Sequence, residues 1–344
     1  MKHYSIKEKT LQSVRDTWER LYRSNDRLTP YSSYEFASLY RKGLHFSTVR
    51  RSAKEEIYEI YDENNAVVAI VPLIRIGRNY YIYGDLCATG YLDFIYKSGT
   101  TDEAFSEIFE LLFEMLGLSH GNVLHLNKLR ADSAMCQYLL KHYLPQSETK
   151  CVAISYGDNY ESYFKSLSKH LRQNVRTARN RLEREGHTTS FTMKIDFKAD
   201  KELKRSFMEV YNERMGEKGT KGIEKSTIHS LKAKIVHIAR NFRNPITMST
   251  FNMKNNVLAG FYIDGKLAAM MAGYLWKDTI IVPRLAINSD FYVYCAGSLL
   301  VVEAIEYLTA NTDVRTLDLS RGDEDYKYVL GGQDHFCYSF SLGE

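Results

Sequence analysis

From Thr316 to Tyr328 the chain reads TLDLSRGDEDYKY, a stretch in which Arg321, Asp323, Asp325, Tyr326, Lys327 and Tyr328 crowd around one glycine. Leu317 and Leu319 alternate with Asp318, which predicts a short strand. Gly322 then predicts a turn, and Asp323 can cap a short helix carrying Tyr326 and Lys327. Proton donors and acceptors placed together at a strand end suit a reaction site that moves protons. The other reading of the same residues is a solvated turn.

A second candidate lies at 166–186, SLSKHLRQNVRTARNRLEREG. Leu167, Leu171, Val175, Ala178 and Leu182 recur at helical spacing and predict a buried stripe, while Lys165, Lys169, Arg172, Arg176 and Arg179 form a cationic stripe beside it. Five cations in line can hold a phosphorylated or otherwise anionic acceptor, or a nucleic-acid backbone. The alternative is a solvated face whose charge Glu183 and Glu185 offset. A third candidate is the helix start Tyr294-Cys295-Ala296-Gly297-Ser298, where free backbone N–H groups suit pyrophosphate, Gly297 permits close approach and Ser298 adds a hydroxyl; otherwise it is an ordinary cap. The strand before it, Thr279 to Ala286, carries Pro283 in its middle. Proline cannot donate to a ladder, so a bulge or lost pairing is expected there, leaving backbone groups near Leu285 and Ile287 open to a thioester carbonyl.

The elements that position these residues repeat one grammar twice: helices, a strand meander, then helix, strand and helix. In the first passage helices are expected at 10–23, 33–42, 102–116 (capped by Asp102) and 131–142. Its strands are expected at 57–61, 67–76, 80–83, 91–96 and 123–126. Pro145 and the polar run Gln146 to Lys150 mark the boundary. The second passage has strands at 151–156, 191–195, 248–252, 256–263, 266–276, 279–287, 316–319 and 335–340. Helices are expected there at 166–186, 200–216, 225–242 and 297–310. The order predicts an α/β fold with mixed, mostly antiparallel sheets, one domain at 1–150 and another at 151–344.

The 344 residues are 44% hydrophobic, enough for two full cores, and the net charge of +4 neither demands nor excludes an anionic partner. MKHYSIKEKT has no apolar run of signal-peptide length and no uncharged stretch approaches ~18 residues, so a cytoplasmic protein without a membrane span is expected. Five cysteines without a CxxC pair predict buried free thiols, and ten histidines without HxH or HExxH spacing predict no metal. A Walker A sequence and a GxSxG elbow are also missing.

LDLSRGDEDYKYVLGG resembles the closing motif of the BioF2-like acetyltransferase group, which includes the CelD (BcsL) type, in the GNAT superfamily. The basic helix, DGKLAAMMAGYLWKDTIIVPRLAIN at 264–288 and CAGSLLVVEAIEYL at 295–308 are similar to the same group and occur in its order, across roughly 150 to 340. The resemblance implies tandem GNAT-like domains of FemAB-like architecture, the first degenerate. It also implies transfer of an acyl group, acetyl by expectation, from acyl-CoA to an amine of a small molecule, sugar or cell-envelope precursor. Tyr326 then falls where such enzymes place the acid for the leaving thiolate, with Tyr328 second. Asp323 or Asp318 is a base candidate, and Arg321 pairs with one of them or holds a substrate carboxylate. Lys327 completes the catalytic set, Ala296, Gly297, Ser298, Leu285 and Ile287 the acyl-CoA set, and Arg172, Arg176 and Asp318 the acceptor set. The usual GNAT phosphate loop, Gln/Arg-x-x-Gly-x-Gly/Ala, is reduced here to one glycine. Two alternatives follow: a FemAB-like aminoacyl transferase using charged tRNA, although the charged helical arm of that family is missing, and a binding protein on the same scaffold without catalysis.

Overall fold

A computed structural model describes residues 4–44, 52–85, 90–220 and 250–343. The helix expected at 225–242 and Cys87 lie outside the described residues. Contacts divide the chain into two compact units, one running to Thr149 and resuming at Phe336, the other holding Lys150 to His335. The second domain expected at 151–344 therefore ends earlier, because Cys337–Leu342 pair with a strand of the first unit.

In the first unit, β1 (Ser5–Lys9), β2 (Ala53–Tyr61), β3 (Val67–Ile76), β4 (Asn79–Ile82) and β6 (Val123–Arg130) lie in that order, and the two-residue β5 (Ile95–Tyr96) pairs with β3. The helices are α1 (Arg15–Ser24), α2 (Tyr34–Leu44), α3 (Asp102–Leu116) and α4 (Ala134–His142). Asp102 does not cap α3. Thr101 does, its Oγ1 accepting from the Ala104 N–H, and Asp102 stands one place inside. All pairings here are antiparallel except β4 with β6, which run parallel over Asn79–Tyr81 and Val123–His125.

In the second unit the order is β7 (Ser147–Ser155), β12 (Thr316–Arg321), β11 (Thr279–Ile287), β10 (Lys266–Trp276), β9 (Asn256–Ile263) and β8 (Thr189–Ile195), and the unit holds the opening of β13 (Gln333–Leu342) as far as His335. Its helices are α5 (Tyr160–Ser166), α6 (Lys169–Arg184), α7 (Lys201–Thr220), α8 (Ala296–Asn311) and α9 (Asp325–Val329). The expected single basic helix is two, broken at Leu167 and capped anew by Ser168 on the Leu171 N–H. Where a strand was expected at 248–252, Thr250–Asn252 form one 3-10 turn.

One face of this sheet is covered by α6 and α8, whose Leu171, Val175, Leu182, Leu299 and Val302 pack with Leu317 and Leu319 of β12. The opposite face packs Phe207 and Met208 of α7 against Met270, Ala272 and Ala286. Fully burying side chains of this size contributes roughly 1.5–3 kcal/mol each, which fixes β12 against the α6–α8 core through Leu317 and Leu319.

The proline-bearing strand departs from regular pairing where expected. β11 runs parallel to β12 only over Thr279–Ile281 and Thr316–Asp318. On its other side the register with β10 breaks between Ala272 and Tyr274. Val282 and Pro283 bulge there against Gly273, at which a Cβ would lie 1.9 Å from the Ile281 carbonyl oxygen, so only glycine admits the bulge. Beyond Ile281 the two strands part, and β11 keeps an edge unpaired with β12.

Candidate active site

Asp318 stands at the last paired position before β11 and β12 diverge, opposite Ile281. Its carboxylate is buried, accepts from the Ser320 N–H at 2.8 Å and lies 3.2 Å from Nε2 of His335 on β13. β7 separates these strands, and the residue opposite Asp318 is Ala153, whose methyl lets the imidazole reach across. The sequence reading missed His335. Its signal was a polar pair, Asp334-His335, opening a strand beside the corner, but no sequence spacing shows which aspartate it meets.

After Asp318 the chain turns sharply. Ser320 adopts φ 57°, a left-handed conformation that costs a residue with a Cβ on the order of 1–3 kcal/mol, and the β12–β7 register shifts between Asp318 and Arg321. Lys327 holds that turn. Its Nζ, with the side chain only 3% exposed, donates to the carbonyls of Arg321 at 2.8 Å, Gly322 at 3.0 Å and Ser320 at 3.3 Å, and pairs with Glu324 at 3.0 Å. Hydrogen bonds to a charged group contribute about 1.5–3 kcal/mol each, enough to offset the strain. Lys327, read from sequence as catalytic, is a buried side chain whose Nζ is wrapped by carbonyls and shapes the corner.

Asp323 is corrected as a cap as well. The N-cap of α9 is Glu324, without a side-chain bond, and Asp323 is exposed ahead of it. Arg321 is half-buried at the end of β12, and Tyr326 is 41% exposed on α9. Tyr328, the second choice, donates its hydroxyl to Asp334 at 2.6 Å, and that carboxylate pushes the phenol up to about 12, which makes it the poorer acid.

Helix α8 begins at Cys295 in the left-handed conformation, φ 53°, with neither a side-chain cap nor an acidic residue in its first turn. Ala296 and Gly297 are buried. A Cβ on Gly297 would meet Ile287 Cδ1 at 2.4 Å, so this glycine serves the packing of α8 on β11, and a side chain there requires the end of Ile287 to move. Ser298 is half-buried, and Leu285 and Ile287 pack partly buried on the α6–α8 core.

The segment before α8 is tied down by polar residues. Tyr294 donates to Glu185 at 2.7 Å and meets His187 Nε2 at 2.9 Å, and His187 Nδ1 lies 2.6 Å from Asp264. Both end carboxylates are held below their usual range: Glu185 by hydrogen bonds from Arg181 and Tyr294, Asp264 by the Thr188 N–H and then His187.

On α6, Arg179 pairs with Glu303 at 2.8 Å and Glu306 at 3.6 Å, and Arg181 with Glu185 at 2.8 Å. Lys169, Arg172 and Arg176 pair with no carboxylate among the described residues, and Arg172 Nε is buried without an acceptor. No group of three or more His, Cys, Asp or Glu among the described residues is arranged to hold a metal, and no described helix is long and apolar enough to cross a membrane.

Residues 169–328 match the family described as the Acetyltransferase (GNAT) domain. Solved structures resemble nearly the whole chain, among them the following. A conserved protein of unknown function from Bacteroides thetaiotaomicron VPI-5482 is 12% identical, with coverage of 98% of this chain and 99% of that one and a TM-score of 0.56. FemX is 10% identical over 98% of each chain with a TM-score of 0.57. L-PGS from Bacillus licheniformis is 12% identical over 92% of each with a TM-score of 0.50. At such identities the likeness is one of fold. No curated protein matches the sequence. The chain carries a GNAT acyltransferase fold, with the matched domain running from α6 to α9.

Proposed function

We propose that the protein is an N-acyltransferase of the BioF2-like kind, passing an acyl group, acetyl in the first instance, from acyl-CoA to an amine of a small-molecule, sugar or envelope-precursor acceptor. The observation that carries this reading is the parting of β11 and β12 at Ile281 and Asp318 beside the uncapped start of α8. A thioester carbonyl in the gap meets unpaired backbone of β11 near Leu285 and Ile287. The N–H groups of Ala296 and Gly297 face the donor's pyrophosphate, with the Ser298 hydroxyl beside them, the Ser298 N–H being bonded to the Cys295 carbonyl. Tyr326 is the acid for the leaving thiolate, and Arg321 and Asp323 orient the acceptor. Arg172 and Arg176, left without carboxylate partners, hold an anionic part of it.

That cationic face also favours a second reading, in which the acyl donor is a charged tRNA, as in FemAB-like transfer. Titration calorimetry with coenzyme A and with tRNA, followed by thioester turnover against a panel of amines, separates the readings. Coenzyme A binding with amine-dependent turnover supports the first, tRNA binding alone supports the second, and neither leaves a scaffold without catalysis. In the same assay R172Q/R176Q raises the acceptor KM while stability moves by no more than about 0.5 kcal/mol. A large melting shift at normal KM makes these arginines structural.

A further inference from the structure

We infer that His335, oriented by Asp318, is the general base that deprotonates the acceptor amine; the inference rests on the acyltransferase reading above. The base candidates named from sequence were Asp323 and Asp318. Asp323 is exposed ahead of α9. Asp318 is 2% exposed and its Oδ1 serves both the Ser320 N–H and His335 Nε2, so an incoming ammonium does not reach it. The imidazole does reach outward: the His335 side chain is 29% exposed against 3% for Asp318.

An ionised carboxylate only accepts hydrogen bonds, so the nitrogen facing Asp318 carries the proton and the lone pair of the neutral ring sits on Nδ1. A buried aspartate that fixes one tautomer and stabilises the imidazolium once it forms is the arrangement by which histidine serves as a base near neutral pH. The position agrees with the chemistry. Tyr274, Ile281, Asp318 and Ala153 are in register across four strands, and Asp318 marks the point where the gap opens. Beside His335 stands Asp334, which is engaged by Lys150 and Tyr328.

The step balances. An alkylammonium acceptor gives one proton to His335 Nδ1, the freed nitrogen pair forms the N–C bond at the thioester carbonyl, and the C–S bond breaks with its electrons on sulfur. The thiolate takes a proton from Tyr326. The amide nitrogen releases its extra proton to solvent.

The test uses acetyl-CoA with two kinds of amine probe, an alkylamine that is protonated at pH 7 and hydroxylamine, which is already neutral there. With the alkylamine, H335Q should lower kcat by about 10² to 10⁴ and remove the acidic limb of the rate profile. With hydroxylamine the loss should be at least about tenfold smaller. The acetyl-CoA Kd, measured by calorimetry, should stay the same. An NMR titration of the His335 ring supplies a readout independent of turnover: D318N, which keeps an oxygen for the Ser320 N–H, should lower the pH at which that ring protonates. If the wild type turns over and H335Q slows both amines equally, or neither, His335 is not the base. If the wild type neither binds acetyl-CoA nor cleaves it with either amine, the acyltransferase reading itself fails.

Discussion

Both units build a short parallel pairing, a helix that lies between its two strands in sequence and a left-handed residue late in the second strand, yet they finish these parts differently. In the first unit β4 and β6 pair over three residues, as β11 and β12 do in the second. Lys128 at φ 55° matches Ser320 at φ 57°. There the likeness ends. The start of α3 is occupied by the chain itself, with Thr101 as cap and Asp102 and Glu103 in the first turn, while α8 has neither cap nor acid. The corner after β6 leads through the Ser133 cap into a nine-residue helix with Tyr138 and Cys136 buried. The corner after β12 leads into five residues with Tyr326 exposed. One frame thus yields a helix start that the chain itself occupies and one that it leaves open, and the proposed function assigns the chemistry to the second.

The strongest way to break this contrast is at Tyr326. Tyr326→Phe removes one hydroxyl from an exposed ring, so kcat should fall by about 10² to 10⁴ if protonation of the thiolate limits the chemical step, with stability nearly unchanged. Tyr328→Phe is the comparison, because its hydroxyl is committed to Asp334. A kcat loss confined to Tyr328→Phe moves the acid two residues along, and no loss in either makes α9 a structural element.

The first unit should respond in stability instead. Asp93 is buried, accepts from Tyr96 Oη at 3.1 Å and is pushed by desolvation from 3.8 up to about 7. Between those two values the folded chain keeps a proton that the unfolded chain has released. Its contribution is fully present below about pH 4 and is lost as pH rises toward 7, at up to about 1.4 kcal/mol per pH unit and on the order of 4 kcal/mol in all. Asp93→Asn should flatten this dependence in urea melts taken from pH 4 to 7.5 and leave turnover intact. An unchanged slope would show that Asp93 is not the group responsible.

Much of the frame was legible in sequence because local signals and tertiary demands agree. β9, β10 and β11 end where expected since Asp264-Gly265 and Lys277-Asp278 close two-residue hairpins, with left-handed φ at Asp264, Gly265 and Lys277. Pro283 announced the bulge by chemistry alone. β1 was missed: SIKEK is an edge strand whose alternating charges face water and leave no apolar rhythm to read. Residues 91–94 were read as strand from their aromatic content, yet only Ile95 and Tyr96 pair. At the site, residue types were legible and partners were not. Lys327 looked reactive until three carbonyls closed around it, and the contact of His335 with Asp318 appeared only when β7, far back in the sequence, came to lie between β12 and β13. Hydrogen-bond partners across a sheet depend on register over more than 150 residues, which no local pattern encodes.

The smallest expected effect tests the helix starts directly. Ser298 is the third helical residue of α8 and half-buried, so Ser298→Asp gives that helix what α3 already has, an acid in the first turn. An acid there is favourable to the isolated helix by about 0.3–1 kcal/mol, so the melting temperature should hold or rise slightly. The same charge opposes pyrophosphate, and coenzyme A should bind about tenfold more weakly, a change of roughly 1.4 kcal/mol. The reciprocal variant, D102N/E103Q, should cost the first unit a comparable few tenths of a kcal/mol to 1 kcal/mol per residue and leave coenzyme A binding alone. Calorimetry on the pair decides whether the two starts differ in function or only in sequence. Weakening by Ser298→Asp alone supports a donor site on α8, whereas equal affinities in wild type and both variants would remove the phosphates from that helix and require another anchor for the donor.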